Sequence, residues 1–137
     1  MVKKLVVQLI IFVIGAIGYP IIELFYRAGH THWTMILVGG FSFLAIIDVN
    51  CLLKEKSMFL RILIATLFVT AVEFIAGMII NKAFGMGVWD YADIEYNLEG
   101  QICLRYSFYW ALLSATVIGV FELLTFFGNK LRNRKHK

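Results

Sequence analysis

The stretch from Arg27 to Trp33 brings together side chains that can carry out chemistry: one arginine, two histidines and a tryptophan. Glu23 precedes this stretch by one helical turn, so it can face Arg27. His30 and His32 are candidates for a general base because imidazole titrates near neutral pH. Arg27 could hold a carboxylate or a phosphate through two parallel hydrogen bonds. The stretch is therefore suited to acid–base chemistry or to binding an anionic group.

The His-x-His spacing of His30 and His32 also permits metal binding, although two such residues can equally be hydrogen-bonded turn residues. A metal site needs further ligands. Glu23, Glu73 or Asp90 could supply them only if the fold brings them close. We predict no bound metal and no cofactor.

A second group of polar and aromatic residues lies in the other half of the chain. Glu73 stands in an apolar run with no cation nearby in sequence, and Arg105 stands in another. Arg105 is thus the expected partner of Glu73 or Asp90, or of an anionic ligand. The candidate catalytic residues are His32, His30, Glu73 and Asp90. The predicted ligand-binding residues are Glu23, Arg27, His32, Trp33, Glu73, Trp89, Asp90, Tyr91 and Arg105. We expect the two groups to meet.

The elements that must position these residues are membrane spans. The chain has 137 residues and is 61% hydrophobic, whereas a soluble domain is about 45–50% apolar. A spanning helix needs about 20 mostly apolar residues, and segments 5–26, 34–53, 58–80 and 101–127 qualify. Backbone groups in lipid must be satisfied within the segment, which favours helices. The chain is predicted to be an all-α polytopic protein with one transmembrane domain over 1–137. The 81–100 loop between the third and fourth helices is not a span.

Basic residues predict the orientation of these helices. Ten of the thirteen lysines and arginines fall on one side: Lys3, Lys4, Lys54, Lys56, Arg61, Lys130, Arg132, Arg134, Lys135 and Lys137. The positive-inside rule places both termini and the 54–57 turn in the cytoplasm. The 27–33 turn and the 81–100 loop then form the outer face. The basic tail either orients the protein or also binds anionic lipid headgroups, so the net charge of +4 is no evidence for nucleic-acid binding.

Charged residues near the cytoplasmic side need partners within the bundle. Asp48 is expected to lie deep in the second span and to pair with Arg61, with Glu122 in the same layer. The two cysteines, Cys51 and Cys103, give no disulfide framework.

The halves 5–53 and 58–128 share an order of features that suggests a two-hairpin repeat. In each half a glutamate, a tryptophan and a glycine occur in the same order (Glu23, Trp33, Gly40; Glu73, Trp89, Gly100). Two such hairpins would be related by an axis along the membrane normal. The alternative is a chance likeness between apolar helices.

Several blocks resemble the CmpB-like family of bacterial ABC-transporter type IV membrane proteins. They are Ile22–Arg27, Thr31–Met35 with Gly39-Gly40, Val88–Tyr91 and Asn97–Ile102. The resemblance implies a permease-like multispanning component and transfers no catalytic residues. The sequence has no phosphate-binding loop, so any ATPase would be a separate subunit. Four short helices enclose little space, so transport would require a homo-oligomer or a partner.

Three functions remain open at this point. The first is a transport component with polar layers near each membrane face. The second is a membrane enzyme that acts on a lipid or lipid-linked substrate, with His32 or His30 as the base and Arg27 and Arg105 on a phosphate. The third is a non-catalytic regulatory or binding protein, in which every charge is paired and no cavity exists.

Overall fold

The computed structural model describes residues 1–135 and consists of a four-helix bundle with one ordered loop. The helices are α1 (Val2–Tyr26), α2 (Thr34–Leu52), α3 (Met58–Gly77) and α4 (Leu104–Lys135). A π-helical segment, Met78–Ala83, continues α3. Within the described residues, four helices, the third including this segment, are long and apolar enough to cross a membrane. The prediction of an all-α polytopic membrane protein is confirmed.

The bundle has two ends, named here the loop end and the terminus end. The loop end holds the 27–33 turn and the loop between α3 and α4, and the terminus end holds both termini and the 54–57 turn. Helix α4 continues to Lys135, beyond the predicted limit of residue 127. Its 32 residues extend about 48 Å at 1.5 Å per residue, so it is longer than a hydrocarbon core of about 30 Å. Lys137, counted in the basic tail, lies outside the described residues.

Helix α2 is the centre of the bundle because it packs against α1, α3 and α4. The main core is formed by apolar residues of α2, α3 and α4: Ile46, Val49, Ala65, Val69, Trp110 and Ile118. Helices α1 and α2 meet at Gly15 and Gly39, where a Cβ added to Gly39 would lie 2.5 Å from the Gly15 carbonyl oxygen. Small residues allow this close backbone approach, a common way for helices to pack in lipid.

A polar layer near the terminus end is built differently from the prediction. Arg61 Nη1 lies 2.9 Å from Glu122 Oε1 and donates to Asn50 Oδ1 at 2.8 Å. Asn50 Nδ2 also donates to Glu122 Oε1, at 3.1 Å. The expected Asp48–Arg61 pair is wrong, because Asp48 Oδ1 accepts from Gln8 Nε2 of α1 at 2.8 Å. Two residues correspond to about 200° around a helix, so Asp48 and Asn50 face different neighbours.

The loop between α3 and α4 is folded onto the bundle and contains a strand pair that the sequence did not predict. Strands β1 (Asn97–Leu98) and β2 (Ile102–Cys103) are antiparallel. Trp89 is buried against residues of α2, and its Nε1 donates to the Gln101 carbonyl oxygen at 3.0 Å. Asn81 Oδ1 accepts from the Val88 amide at 2.7 Å. These bonds hold the segment around Trp89 over the loop end of the helices.

Candidate functional site

A cavity of about 190 Å³ lies at the loop end of the bundle. All four helices and the loop contribute to its wall. The lining residues are Tyr19, Ile22, Glu23, Tyr26, Arg27, Met35, Val38, Glu73, Trp89, Tyr91, Tyr106, Tyr109, Trp110 and Leu113. The wall is therefore mostly apolar and aromatic, with three charged side chains, a composition usual for a small-molecule site.

Glu73 is the most deeply placed charged group of the cavity, with 4% of its surface exposed. Tyr91 Oη donates to Glu73 Oε1 at 3.0 Å, and Trp110 Nε1 donates to Oε2 at 3.0 Å. Both donors are neutral. Among residues 1–135 no lysine, arginine or histidine forms a salt bridge with this carboxylate. Glu73 is thus held by hydrogen bonds while its charge has no counterion from the described chain.

Glu23 and Arg27 form the second polar element, one turn apart on α1. Arg27 Nη1 lies 3.0 Å from Glu23 Oε1, and Thr31 Oγ1 donates to Glu23 Oε2 at 2.6 Å. Arg27 Nη2 reaches the Val88 carbonyl oxygen at 3.4 Å, so it links the end of α1 to the loop. The charge of Arg27 is therefore already matched by Glu23.

Aromatic rings join α1 to α4 across the cavity. Tyr19 stacks on Trp110, with ring centroids 5.1 Å apart and an 18° interplanar angle. Tyr26 meets Tyr109 edge to face at 6.0 Å. Such aromatic pairs fix ring geometry more firmly than aliphatic contacts do.

A third ring pair places the loop against α4. Tyr91 stacks on Tyr106 at 4.5 Å and 10°, in addition to its bond with Glu73. Burial raises the pKa of the Tyr91 phenol above its ordinary value, and the nearby negative charge of Glu73 acts in the same direction. Tyr91 therefore stays protonated and serves as a hydrogen-bond donor.

Comparison with known proteins identifies the family of this bundle. The family model described as "Putative ABC-transporter type IV" matches residues 9–134. The chain belongs to this family. The resemblance found in the sequence is confirmed, and no solved structure matches the chain. This family member is a multi-pass membrane protein by its four apolar helices.

The structure of this family member brings together only part of the predicted site. Glu23, Arg27, Glu73, Trp89 and Tyr91 line the cavity. The remaining candidates do not line it: His30, His32, Trp33, Asp90 and Arg105. The two groups of residues do meet: Arg27 bonds to the Val88 carbonyl oxygen, and rings of α1 contact rings of α4. Neither His30 nor His32 lines the cavity between them.

The candidates outside the cavity have local roles or face outward. His32 Nδ1 lies 2.8 Å from Thr34 Oγ1 and accepts from the Thr34 amide at 3.3 Å. His32 therefore bonds to the first residue of α2. Asp90 Oδ1 accepts from the Ala92 amide at 2.9 Å, a turn contact. Arg105 is exposed and forms no salt bridge within residues 1–135, so the expected pairing of Arg105 with Glu73 or Asp90 is wrong.

No group of three or more metal-ligating side chains occurs in the part of the chain that the structure describes. His30 is exposed in the turn after α1. Within the described residues, the His-x-His pair of His30 and His32 therefore belongs to no larger group of such ligands.

The cavity wall also contains aromatic residues that were not predicted as site residues: Tyr19, Tyr26, Tyr106, Tyr109 and Trp110. Tyr106, Tyr109 and Trp110 are spaced i, i+3, i+4, which places them on one helix face. This spacing could have indicated an aromatic wall of a site. Aromatic residues near a membrane boundary are, however, usually interfacial anchors, and that interpretation explains the same pattern. Tyr19 gave no comparable signal.

Proposed function

We propose that this protein is a permease-like component of a transport assembly in the bacterial cell membrane, and that it holds a small ligand near the outer face. The observation that carries this proposal is the cavity of about 190 Å³ at the loop end, where Glu73 is buried and receives no counterion from residues 1–135. A buried ionisable group at membrane depth is costly and usually marks a functional site.

The outward position of the cavity follows from the distribution of basic residues. The terminus end carries both terminal segments and the short 54–57 turn, where lysines and arginines concentrate. Cytoplasmic loops carry such an excess. The loop end then faces outward, and the cavity opens in the outer half of the bilayer.

Packed apolar side chains of the main core lie between this cavity and the layer of Arg61 and Glu122. Along α3, Ala65 and Val69 are fully buried between Glu73 and Arg61, and they belong to the main apolar core. Ligand that reaches Glu73 would therefore meet packed side chains before the layer of Arg61 and Glu122. Passage through the membrane thus needs a second copy or a partner subunit, and a separate ATPase would supply energy.

The two alternatives are less well supported by the geometry. The enzyme alternative assigns the general base to His32 or His30, whereas neither histidine is among the residues that line the cavity, and His32 bonds to Thr34. A purely structural network requires a closed site with all charges paired, whereas Glu73 lines an open cavity and forms no salt bridge in the described part of the chain.

The test is the composition of the assembly in its own membrane. The full-length chain, tagged and expressed at its native level, is extracted in a mild detergent and its mass is measured by native mass spectrometry. We expect a complex that contains several copies of the 15.7 kDa chain or a membrane or ATPase partner in a fixed ratio. A monomer that carries no partner, in the mild detergent and in native nanodiscs alike, would refute the transport proposal.

A further inference from the structure

We propose that the cavity selects an organic cation, namely an ammonium group with small apolar substituents. The inference rests on the proposed function in one respect, that the cavity is a ligand site. The class of ligand follows from three properties of the wall: its charge, its rings and its size.

The charged residues of the wall are two glutamates, Glu23 and Glu73, and one arginine, so the wall has one carboxylate more than it has cations. Arg27 is the only cation among the lining residues, and it is bound to Glu23 at 3.0 Å. Glu73 receives bonds only from the hydroxyl of Tyr91 and the indole of Trp110. A buried charge is costly unless it is paired with an opposite charge. A ligand ammonium would supply that charge where the described chain does not.

The rings favour the same ligand. Tyr19, Tyr26, Tyr106, Tyr109 and Trp110 all line the cavity. A cation is attracted to the face of an aromatic ring, and cages of such rings are a common means of binding quaternary ammonium groups. The methyl groups of such a cation also lose contact with water favourably against aromatic carbon. An aromatic wall with one unmatched carboxylate therefore attracts both parts of the ligand.

An anion fits the cavity poorly. Arg105, which the sequence suggested as a phosphate ligand, lies outside the lining. Arg27 already bonds to Glu23 and to the Val88 carbonyl oxygen. A phosphate or carboxylate would face the unmatched charge of Glu73 and would be repelled at short range.

The volume sets the size of the cationic group. The cavity measures about 190 Å³, and an apolar cavity of about 150 Å³ is sufficient for benzene. A group of about choline size fits within this space. A larger ligand would have to extend past the exposed rings of Tyr26 and Tyr109 at the margin. The site therefore fits either a free ammonium compound or an ammonium headgroup of a lipid.

The first experiment compares choline with its uncharged isostere, 3,3-dimethylbutan-1-ol. Full-length protein in nanodiscs of phosphatidylglycerol is titrated with each, and tryptophan fluorescence is recorded in a Trp33→Phe background. Trp89 and Trp110 line the cavity, whereas Trp33 is exposed. We expect choline to bind at least about ten-fold more tightly, the range of one charge-assisted contact. Equal affinity for the two compounds, or tighter binding of inorganic phosphate, would overturn the proposal.

The second experiment tests whether the carboxylate of Glu73 is the group that binds the ammonium charge. Glu73→Gln keeps the size of the side chain and should lower choline affinity about ten-fold, while binding of the neutral isostere stays the same. Asp90→Asn is the matched control, since it removes one nearby carboxylate that lies outside the lining. Equal effects of the two substitutions would contradict a specific role of Glu73. The comparison of ligands on the unmodified chain stands even if Glu73→Gln fails to fold.

Lipid composition distinguishes the two sources of ammonium. Phosphatidylethanolamine added to the nanodiscs should weaken choline binding if a headgroup occupies the cavity, and should leave it unchanged if the ligand is soluble. Both results support a cation site. Native mass spectrometry tests the proposed assembly independently of choline binding. A monomer that selects choline would refute the transport assembly but not the cation site. An assembly that does not select choline would refute the cation site but not the transport assembly.

Discussion

The contact between α1 and α2 at Gly39 offers a quantitative test of how the fold positions the cavity. A Cβ placed on Gly39 would lie 2.5 Å from the Gly15 carbonyl oxygen and 2.5 Å from Tyr19 Cβ. Favourable contacts of carbon atoms lie at about 3.5–4.0 Å. The substitution Gly39→Ala therefore forces α1 and α2 apart by about 1 Å at this point, because neither clash involves a flexible side-chain end.

The expected cost follows from two opposing effects. Overpacking costs about 1–3 kcal/mol, and the two rigid contacts place Gly39→Ala near the upper end of this range. Alanine recovers up to about 1 kcal/mol because glycine is a poor helix residue. The free energy of unfolding should fall by about 2 kcal/mol. Displacement of α1 should also loosen the stack of Tyr19 on Trp110, with its 5.1 Å centroid distance, and thereby weaken ligand binding.

The control is Gly18→Ala, in the same helix as Gly15. A Cβ on Gly18 would meet nothing within 4 Å, so this variant should be as stable as the parent or slightly more stable. Unfolding in mixed detergent micelles, followed by circular dichroism, measures both variants. If Gly39→Ala is as stable as Gly18→Ala, α1 and α2 do not meet at Gly39 and the position of Tyr19 on the cavity wall is incorrect.

Three further predictions concern the polar layer, the loop and the orientation. Arg61→Met should lower the free energy of unfolding by about 1–2 kcal/mol, because it leaves Glu122 without its cation while the Glu122 side chain is 39% exposed. Adding Glu122→Gln should recover part of this loss, and no recovery would contradict the pairing. The pKa of Tyr91 is raised above its ordinary value of 10.0, so the folded protein binds the phenol proton more tightly than the unfolded chain does. The contribution of this protonated phenol to the free energy of unfolding is therefore complete below pH 10 and decreases as the pH rises further. Tyr91→Phe should flatten that decline in a pH series of unfolding measurements, and an unchanged slope would argue against it. In spheroplasts with a cysteine-free background, Asp93→Cys should react with an impermeant maleimide, whereas Glu55→Cys should react only after permeabilisation; the reverse pattern would invert the topology.

Much of the architecture could be predicted from the sequence, because insertion into a bilayer depends on apolar length. The starts of α2 and α3 at Thr34 and Met58 agree with the predicted spans. The end of α4 was missed because its last turns are polar, and hydropathy does not detect a helix that leaves the bilayer. The strand pair of β1 and β2 was missed because two-residue strands have no periodicity.

The partners of polar side chains were predicted less well. Glu23 with Arg27 could be predicted because both lie on one helix at i, i+4. The pair of Asp48 and Arg61 was wrong because it depends on the rotation of α2 about its own axis, which sends Asp48 toward Gln8 and Asn50 toward Arg61. The bond between His32 and Thr34 joins residues only two positions apart. It was nevertheless not predicted, because a histidine in such a turn can equally be a catalytic base.

The sequence by itself determined that the protein is a four-span membrane protein of this family and which residues lie at each end of the bundle. Those properties depend on runs of residues and on their order. Only the tertiary structure decided which side chains share a cavity: Glu73 with Tyr91 and Trp110, and not with Arg105 or His32. The physical reason is that lipid and the bundle interior are both apolar, so hydropathy does not specify which face of a helix turns inward. Close packing at Gly15 and Gly39 and a few buried hydrogen bonds specify it.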